Sequence, residues 1–169
     1  SLSSHEVAQG YQKVKDRSVY VKFKLKKGQW IRQAHHPEAL SNGQMGDWKV
    51  LDKAYVLAWT TTPWTLPGNV GVAVGKEIDY IVVKKYSEFM VLAKDLASKI
   101  LGSDLEIVAH LKGGDLTGLE YEPLFDIKEL KSGTSYKIYD ADFVSTQDGT
   151  GVVHTAVMYG EDDYVLGKE

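Results

Sequence analysis

Cysteine is absent from the 169 residues, which excludes disulfides, thiolate-bound zinc and a cysteine nucleophile, and is compatible with a cytoplasmic home. No apolar run approaches the roughly 18 residues that a membrane span needs, and the polar start Ser1-Leu2-Ser3-Ser4-His5-Glu6 is unlike a secretory signal. An excess of positive charge is missing as well. Lys and Arg number 20 against 23 Asp and Glu, a formal net charge of −3, so any contact with RNA is expected to be small in extent. Internal repeats, low-complexity tracts and a dividing linker are also lacking. A composition 43% hydrophobic and 25% charged over this length is that of one soluble globular domain, large enough to fold without a covalent or metal staple.

What is present is a series of short β-type segments. Val19, Val21, Phe23 and Leu25 alternate with Lys22, Lys24 and Lys26, which predicts a strand with its apolar face turned inward. Residues 28–46 carry His35, His36, Pro37, Asn42 and Gly43 and are expected to be mainly loop. Further strands are expected at 55–60, 70–74, 80–84, 88–93, 105–110, 136–139 and 151–155, all rich in valine, isoleucine or tyrosine. Two helices stand out: one from about Lys94 to Leu101, stopped by Gly102, and one starting near Glu161 with acidic residues in its first turn. Many strands and few helices point to a β-rich, β-barrel-like α+β domain.

Two segments have unusual chemistry. In Trp59-Thr60-Thr61-Thr62-Pro63-Trp64-Thr65-Leu66-Pro67-Gly68-Asn69 a strand runs into a hydroxyl-rich loop stiffened by two prolines, neither of which can donate to a sheet. Each threonine hydroxyl both donates and accepts, so the run suits ribose hydroxyls, an ester carbonyl or a held water. Ordinary strand preference of threonine and burial of Trp59 and Trp64 explain the same residues. The second segment, Asp148-Gly149-Thr150-Gly151-Val152-Val153-His154-Thr155-Ala156, delivers a histidine on an apolar strand, and Glu161, Asp162 and Asp163 follow. An aspartate there could hold an ammonium group through a charge-assisted contact, whereas Glu161 and Asp162 fit helix capping or solvation better.

Other motifs fail. Gly71-Val72-Ala73-Val74-Gly75-Lys76 has too few residues between its glycines for a phosphate loop, and Gly149-Thr150-Gly151 reads as a turn between strands. No Gly-x-Ser-x-Gly elbow occurs, so a serine nucleophile lacks support, and the pair His35-His36 has no acidic partner at metal-ligand spacing. No metal site is assigned.

Taken in order, the two segments resemble the editing domain inserted in the catalytic core of the isoleucyl, valyl and leucyl members of the class I aminoacyl-tRNA synthetases. Trp59 to Pro67 is similar to the threonine-rich element of the isoleucyl branch, and Asp148 to Asp163 to its Gly-Thr-Gly, His-Thr-Ala and Glu-Asp-Asp element. Shorter similarities lie at Ser18-Val19-Tyr20-Val21-Lys22-Phe23, Leu92-Ala93-Lys94-Asp95-Leu96 and Tyr121-Glu122-Pro123-Leu124-Phe125. Pro63-Trp64 departs from the Thr-Thr-Arg-Pro-Glu of valyl enzymes, and Val157 stands where the family usually has proline. Neither His-Ile-Gly-His nor Lys-Met-Ser-Lys-Ser occurs, so amino-acid activation is not expected of this chain.

The resemblance implies a single editing domain over residues 1–169, part of a longer synthetase whose insertion continues past Glu169. It implies hydrolysis of valine from mischarged tRNA(Ile), and of valyl-adenylate as a further substrate, with isoleucine excluded by size. Thr61, Thr62 and Asp163 are the implied catalytic residues. Thr60, Thr61 and Thr62 would contact the terminal adenosine and the acyl ester, Trp64 would shape the entrance, His154 would line the size-limiting pocket, and Asp163 would hold the ammonium. The implied partners are the 3′-terminal adenosine of tRNA(Ile) carrying valine and the rest of the synthetase, with no membrane. No cofactor is expected for editing, since ATP and magnesium serve the synthetic site of the full-length enzyme. The alternatives are an editing domain of leucyl or valyl type and a non-catalytic RNA-binding module that stacks bases on Trp59 and Trp64.

Overall fold

In the computed structural model the described residues are 17–31, 48–49 and 52–156. Ten strands among them form three sheets. The largest is five-stranded. Its members are β1 (Val19–Lys24), β4 (Ala54–Thr60), β7 (Glu88–Ala93), β6 (Asp79–Lys85) and β8 (Glu106–Lys112), in the order β1-β4-β7-β6-β8. All neighbours are antiparallel except β4 and β7. The second sheet places β5 (Asn69–Val74) between β10 (Val152–Ala156), antiparallel to it, and β9 (Lys137–Asp140), parallel to it.

Alternation along the strands decides which face meets which layer. On β6, Tyr80 and Val82 point into a core shared with Val72, Val74, Ile138 and Val152 of the second sheet, while Ile81 and Val83 pack on the opposite face with Leu57, Leu92 and Ala97. Ala97 belongs to helix α1 (Lys94–Leu101), which covers that second face. A sheet covered on both sides needs continuous apolar strands, and β4, β6 and β7 read that way. The edge strand β1 instead keeps the expected alternation, with Phe23 and Leu25 buried. Its lysines face outward to acids, Lys22 pairing with Glu88, Lys24 with Glu122 at 3.0 Å and Lys26 with Glu120 at 2.6 Å. Exposed pairs of this kind contribute little, about 0–1 kcal/mol each.

Two fully buried tyrosines tie the layers. The Tyr80 hydroxyl accepts from the Gly75 amide at 3.0 Å and donates to the Gly151 carbonyl at 2.5 Å, joining the first sheet to the start of β10. Burial pushes its pKa up to about 12. Tyr121 donates to Asn69 Oδ1 at 2.6 Å and meets the Phe23 ring edge-on at 5.2 Å. Asn69 in turn donates to the carbonyls of Gly71 and Thr155, so one side-chain amide fixes β5 against β10.

Every strand expected from the sequence is present, with ends shifted by one or two residues, and α1 ends at Gly102 as expected. Short elements differ. Within the segment expected to be loop, β2 (Trp30–Ile31) pairs with β3 (Trp48–Lys49) as a two-residue ladder. Residues 63–68 and 128–130 form 3₁₀ turns, and Gly113–Leu116 forms a single helical turn, α2. Pieces this short carry no hydrophobic period from which they could be read. The helix expected near Glu161 and the pair His35-His36 lie outside the described residues. Among those residues no helix is long and apolar enough to cross a membrane.

Candidate functional site

Strand β4 ends at Thr60, and the chain turns at once. Thr60 is buried, and its hydroxyl accepts the Thr62 amide at 3.0 Å while lying 3.2 Å from the Thr62 hydroxyl. This side-chain-to-backbone bond replaces the ladder that ends there. Thr62, in a non-helical conformation before proline, caps the 3₁₀ turn Pro63–Gly68. Pro63 sits where an amide hydrogen would have no partner in the turn, so its ring costs nothing. Thr65 closes the turn twice, its amide donating to the Thr62 carbonyl at 3.0 Å and its hydroxyl to the same oxygen at 2.7 Å. Thr61 and Trp64 are left pointing outward, the indole 73% exposed.

The second segment approaches from the far end of the sequence. Gly149 and Gly151 both have positive φ, +75° and +70°, and both are pressed against the first sheet. A Cβ on Gly149 would come within 3.0 Å of the Trp59 ring, and one on Gly151 within 2.5 Å of Ala93 Cβ. Between them Thr150 is buried, and its carbonyl accepts the Ala93 amide at 2.9 Å. The Gly-Thr-Gly run is therefore the tight turn that its residues implied, required by backbone geometry and close approach. It launches β10, which pairs Val152 with Val74 and His154 with Val72.

Where these segments meet, a cleft of about 380 Å³ opens, within the range of small-ligand sites. Trp59, Thr60 and Thr61 form one wall, and residues 149–153 form the opposite one. Phe143, Ser145, Gln147 and Asp148 complete the rim. Among the described residues no lysine or arginine lines it, and the charged one that does, Asp148, lies 3.4 Å from Lys99. Hydroxyl, amide and aromatic groups without a cation suit a neutral or cationic ligand better than a bare phosphate.

Of the residues singled out in the sequence, Thr60 and Thr61 stand on the cleft wall, and Thr62, Trp64 and His154 stand on the elements next to it. His154 is half-buried and reaches Thr65, its Nε2 lying 3.0 Å from Thr65 Oγ1. Burial lowers its pKa from the ordinary histidine value. Asp163 and Val157 lie outside the described residues. Phe143, Ser145 and Gln147 escaped the sequence reading because they belong to an irregular loop with neither period nor motif, brought to Thr60 only by tertiary packing.

Comparison with known proteins gives two kinds of likeness. The chain is 44% identical over its full 169 residues to the isoleucine–tRNA ligase of Clostridium novyi and 41% identical over 169 residues to that of Clostridium tetani. With the enzyme of Bacillus thuringiensis it shares 41% over 164 residues. In each case it spans 14% of the relative's length. In three dimensions it resembles the crystal structure of GlLeuRS-CP1, with a TM-score of 0.61, 17% identity, and coverage of 89% of this chain and 59% of the other. The editing domain of the cytosolic leucyl-tRNA synthetase of P. knowlesi superimposes with a TM-score of 0.53 at 17% identity, covering 66% of this chain and 49% of that one. No family model matches.

Proposed function

The chain belongs to the isoleucine–tRNA ligase family as the counterpart of one segment of those enzymes, folded as a synthetase editing domain, and from this premise we propose that it hydrolyses valine from mischarged tRNA(Ile). The observation that carries the proposal is the cleft between Thr60-Thr61 and residues 149–153. Two segments about ninety residues apart, each resembling an editing element, form its facing walls, and among the described residues the walls offer hydroxyls and no cation, the nearby Lys99 being paired with Asp148 at the rim. An aminoacyl ester on a terminal adenosine has these needs, namely donors for a carbonyl and ribose and no positive charge to repel an ammonium.

In the proposed reaction a water oxygen adds to the ester carbonyl carbon, the resulting oxyanion collapses, and the bond to the ribose oxygen breaks. That oxygen leaves with a proton, releasing valine and uncharged tRNA. Thr61 and Thr62 position the ester and the water, and Thr60 shapes the turn that presents them. Asp163 holds the ammonium, Trp64 borders the entrance, and His154 limits side-chain size. The ester is already activated, so positioning and oxyanion stabilisation supply the rate without a covalent intermediate or cofactor.

Isoleucine against valine in this enzyme family is the standing illustration of a general limit on selectivity: a missing methylene alters binding by only about 1–3 kcal/mol, too little for one site to discriminate, so a second, smaller pocket removes the error. Deacylation of valyl-tRNA(Ile) and isoleucyl-tRNA(Ile) by the chain and by Asp163→Ala tests the proposal. Valine is expected to be released and isoleucine retained, with the variant at least tenfold slower, the loss of one charge-assisted contact of about 1.5–3 kcal/mol. Equal cleavage of both esters would remove the size sieve, and an unimpaired variant would remove the ammonium role.

A further inference from the structure

The hydrogen bonds around His154 form a directed chain. The hydroxyl of Thr65 has one proton, and it is given to the Thr62 carbonyl at 2.7 Å. At the 3.0 Å contact with His154 Nε2 the same oxygen can then only accept. The imidazole must carry its hydrogen on Nε2, which leaves Nδ1 as a bare lone pair. Nδ1 is buried and has no hydrogen-bond partner among the described residues.

We propose that Thr65 is a positioning residue that holds His154 as the neutral Nε2–H tautomer, with its ring locked against the 3₁₀ turn. An imidazolium would need a second acceptor at Nδ1, and the packing around the ring supplies none among the described residues. No side chain on β5 (Asn69–Val74) or in the turn Pro63–Gly68 carries a charge or titrates, and on β4 (Ala54–Thr60) only Tyr55 does so. The lowered pKa of His154 agrees with this setting. The consequence, which rests on the editing reading, is that His154 acts there as an uncharged wall. It neither repels an ammonium nor shuttles a proton through Nε2, whose hydrogen is already engaged.

Imidazole ¹⁵N spectra of the histidine-labelled 169-residue chain test this without substrate, with His154→Gln identifying the signal. The expected wild-type result is a single Nε2–H tautomer at neutral pH whose hydrogen exchanges slowly with water. Thr65→Ser should keep that protected hydrogen and Thr65→Val should lose it. A hydrogen on Nδ1, or an imidazolium such as a carboxylate from Glu161 to Asp163 would induce, overturns the proposal from the wild-type spectrum alone. Retention of the protected hydrogen in Thr65→Val overturns the role of Thr65. In deacylation, kcat is expected to fall about tenfold in Thr65→Val, the worth of one hydrogen bond, and to recover in Thr65→Ser. A chain that shows the expected spectra and cleaves no ester would count against the editing reading and leave the tautomer assignment standing.

Discussion

The two walls of the cleft are built on opposite principles. On one side Gly149, Thr150 and Gly151 have no freedom, because two positive φ angles, the Trp59 ring, Ala93 and the Tyr80 hydroxyl fix their backbone. On the other side Thr60 spends its hydroxyl on the turn, while Thr61 is exposed and makes no hydrogen bond among the described residues. One wall is scaffold down to its atoms, and the other keeps a polar group in reserve. Mutation should therefore separate them, with stability lost on the glycine wall and activity alone lost on the threonine wall.

The largest effect is expected from Gly151→Val. A left-handed backbone costs a branched residue about 1–2 kcal/mol, and a side chain forced against Ala93 adds about 1–3 kcal/mol. Chemical denaturation should show a loss comparable to much of a domain's stability. A fully stable variant would break the contrast.

Tyr80→Phe comes next. Removing the hydroxyl takes a partner from the Gly75 amide and the Gly151 carbonyl, a loss of about 1–3 kcal/mol in all. The same residue sets a pH signature. Its folded pKa of about 12 lies above the unfolded value of 10.0, so the neutral phenol's contribution is fully present below pH 10 and fades as pH rises towards 12. Denaturation curves between pH 9 and 12 should fall less steeply for the phenylalanine variant. A parallel fall in both proteins would assign the alkaline loss to other tyrosines such as Tyr121, which burial also raises.

The smallest effect on stability belongs to Thr61→Val, within about 0.5 kcal/mol for an exposed site. Its deacylation of valyl-tRNA(Ile) should nonetheless drop by up to about tenfold, as for one lost hydrogen bond in the transition state. A destabilised variant would show that the threonine wall is also scaffold.

Much of this was legible in the sequence because it is written in local patterns. The alternation of Val19 to Leu25, the apolar runs of β4, β6 and β7, and the stop at Gly102 all translate directly into elements. So did the expectation that Gly149-Thr150-Gly151 is a turn. What could not be read is what depends on partners far away in sequence: that Tyr80 would bond Gly151, that Asn69 would bridge β5 and β10, and that Phe143, Ser145 and Gln147 would line one cleft with Thr60. Thr65 is an intermediate case. It lay inside a motif already singled out, but its bond to His154 crosses 89 positions and is visible only in three dimensions.

The antiparallel seating of β10 beside β5 also fixes a timetable. On a ribosome adding about 5–20 residues each second, some ninety residues separate the emergence of Thr60 from that of Val152, an interval of roughly 5–20 s. Until then one edge of β5 stays unpaired in the nascent polypeptide, open to adventitious strand addition. The pocket is thus born late, and a ribosome stalled before residue 152 would present β5 with only its parallel neighbour β9 and a bare rung on the other side.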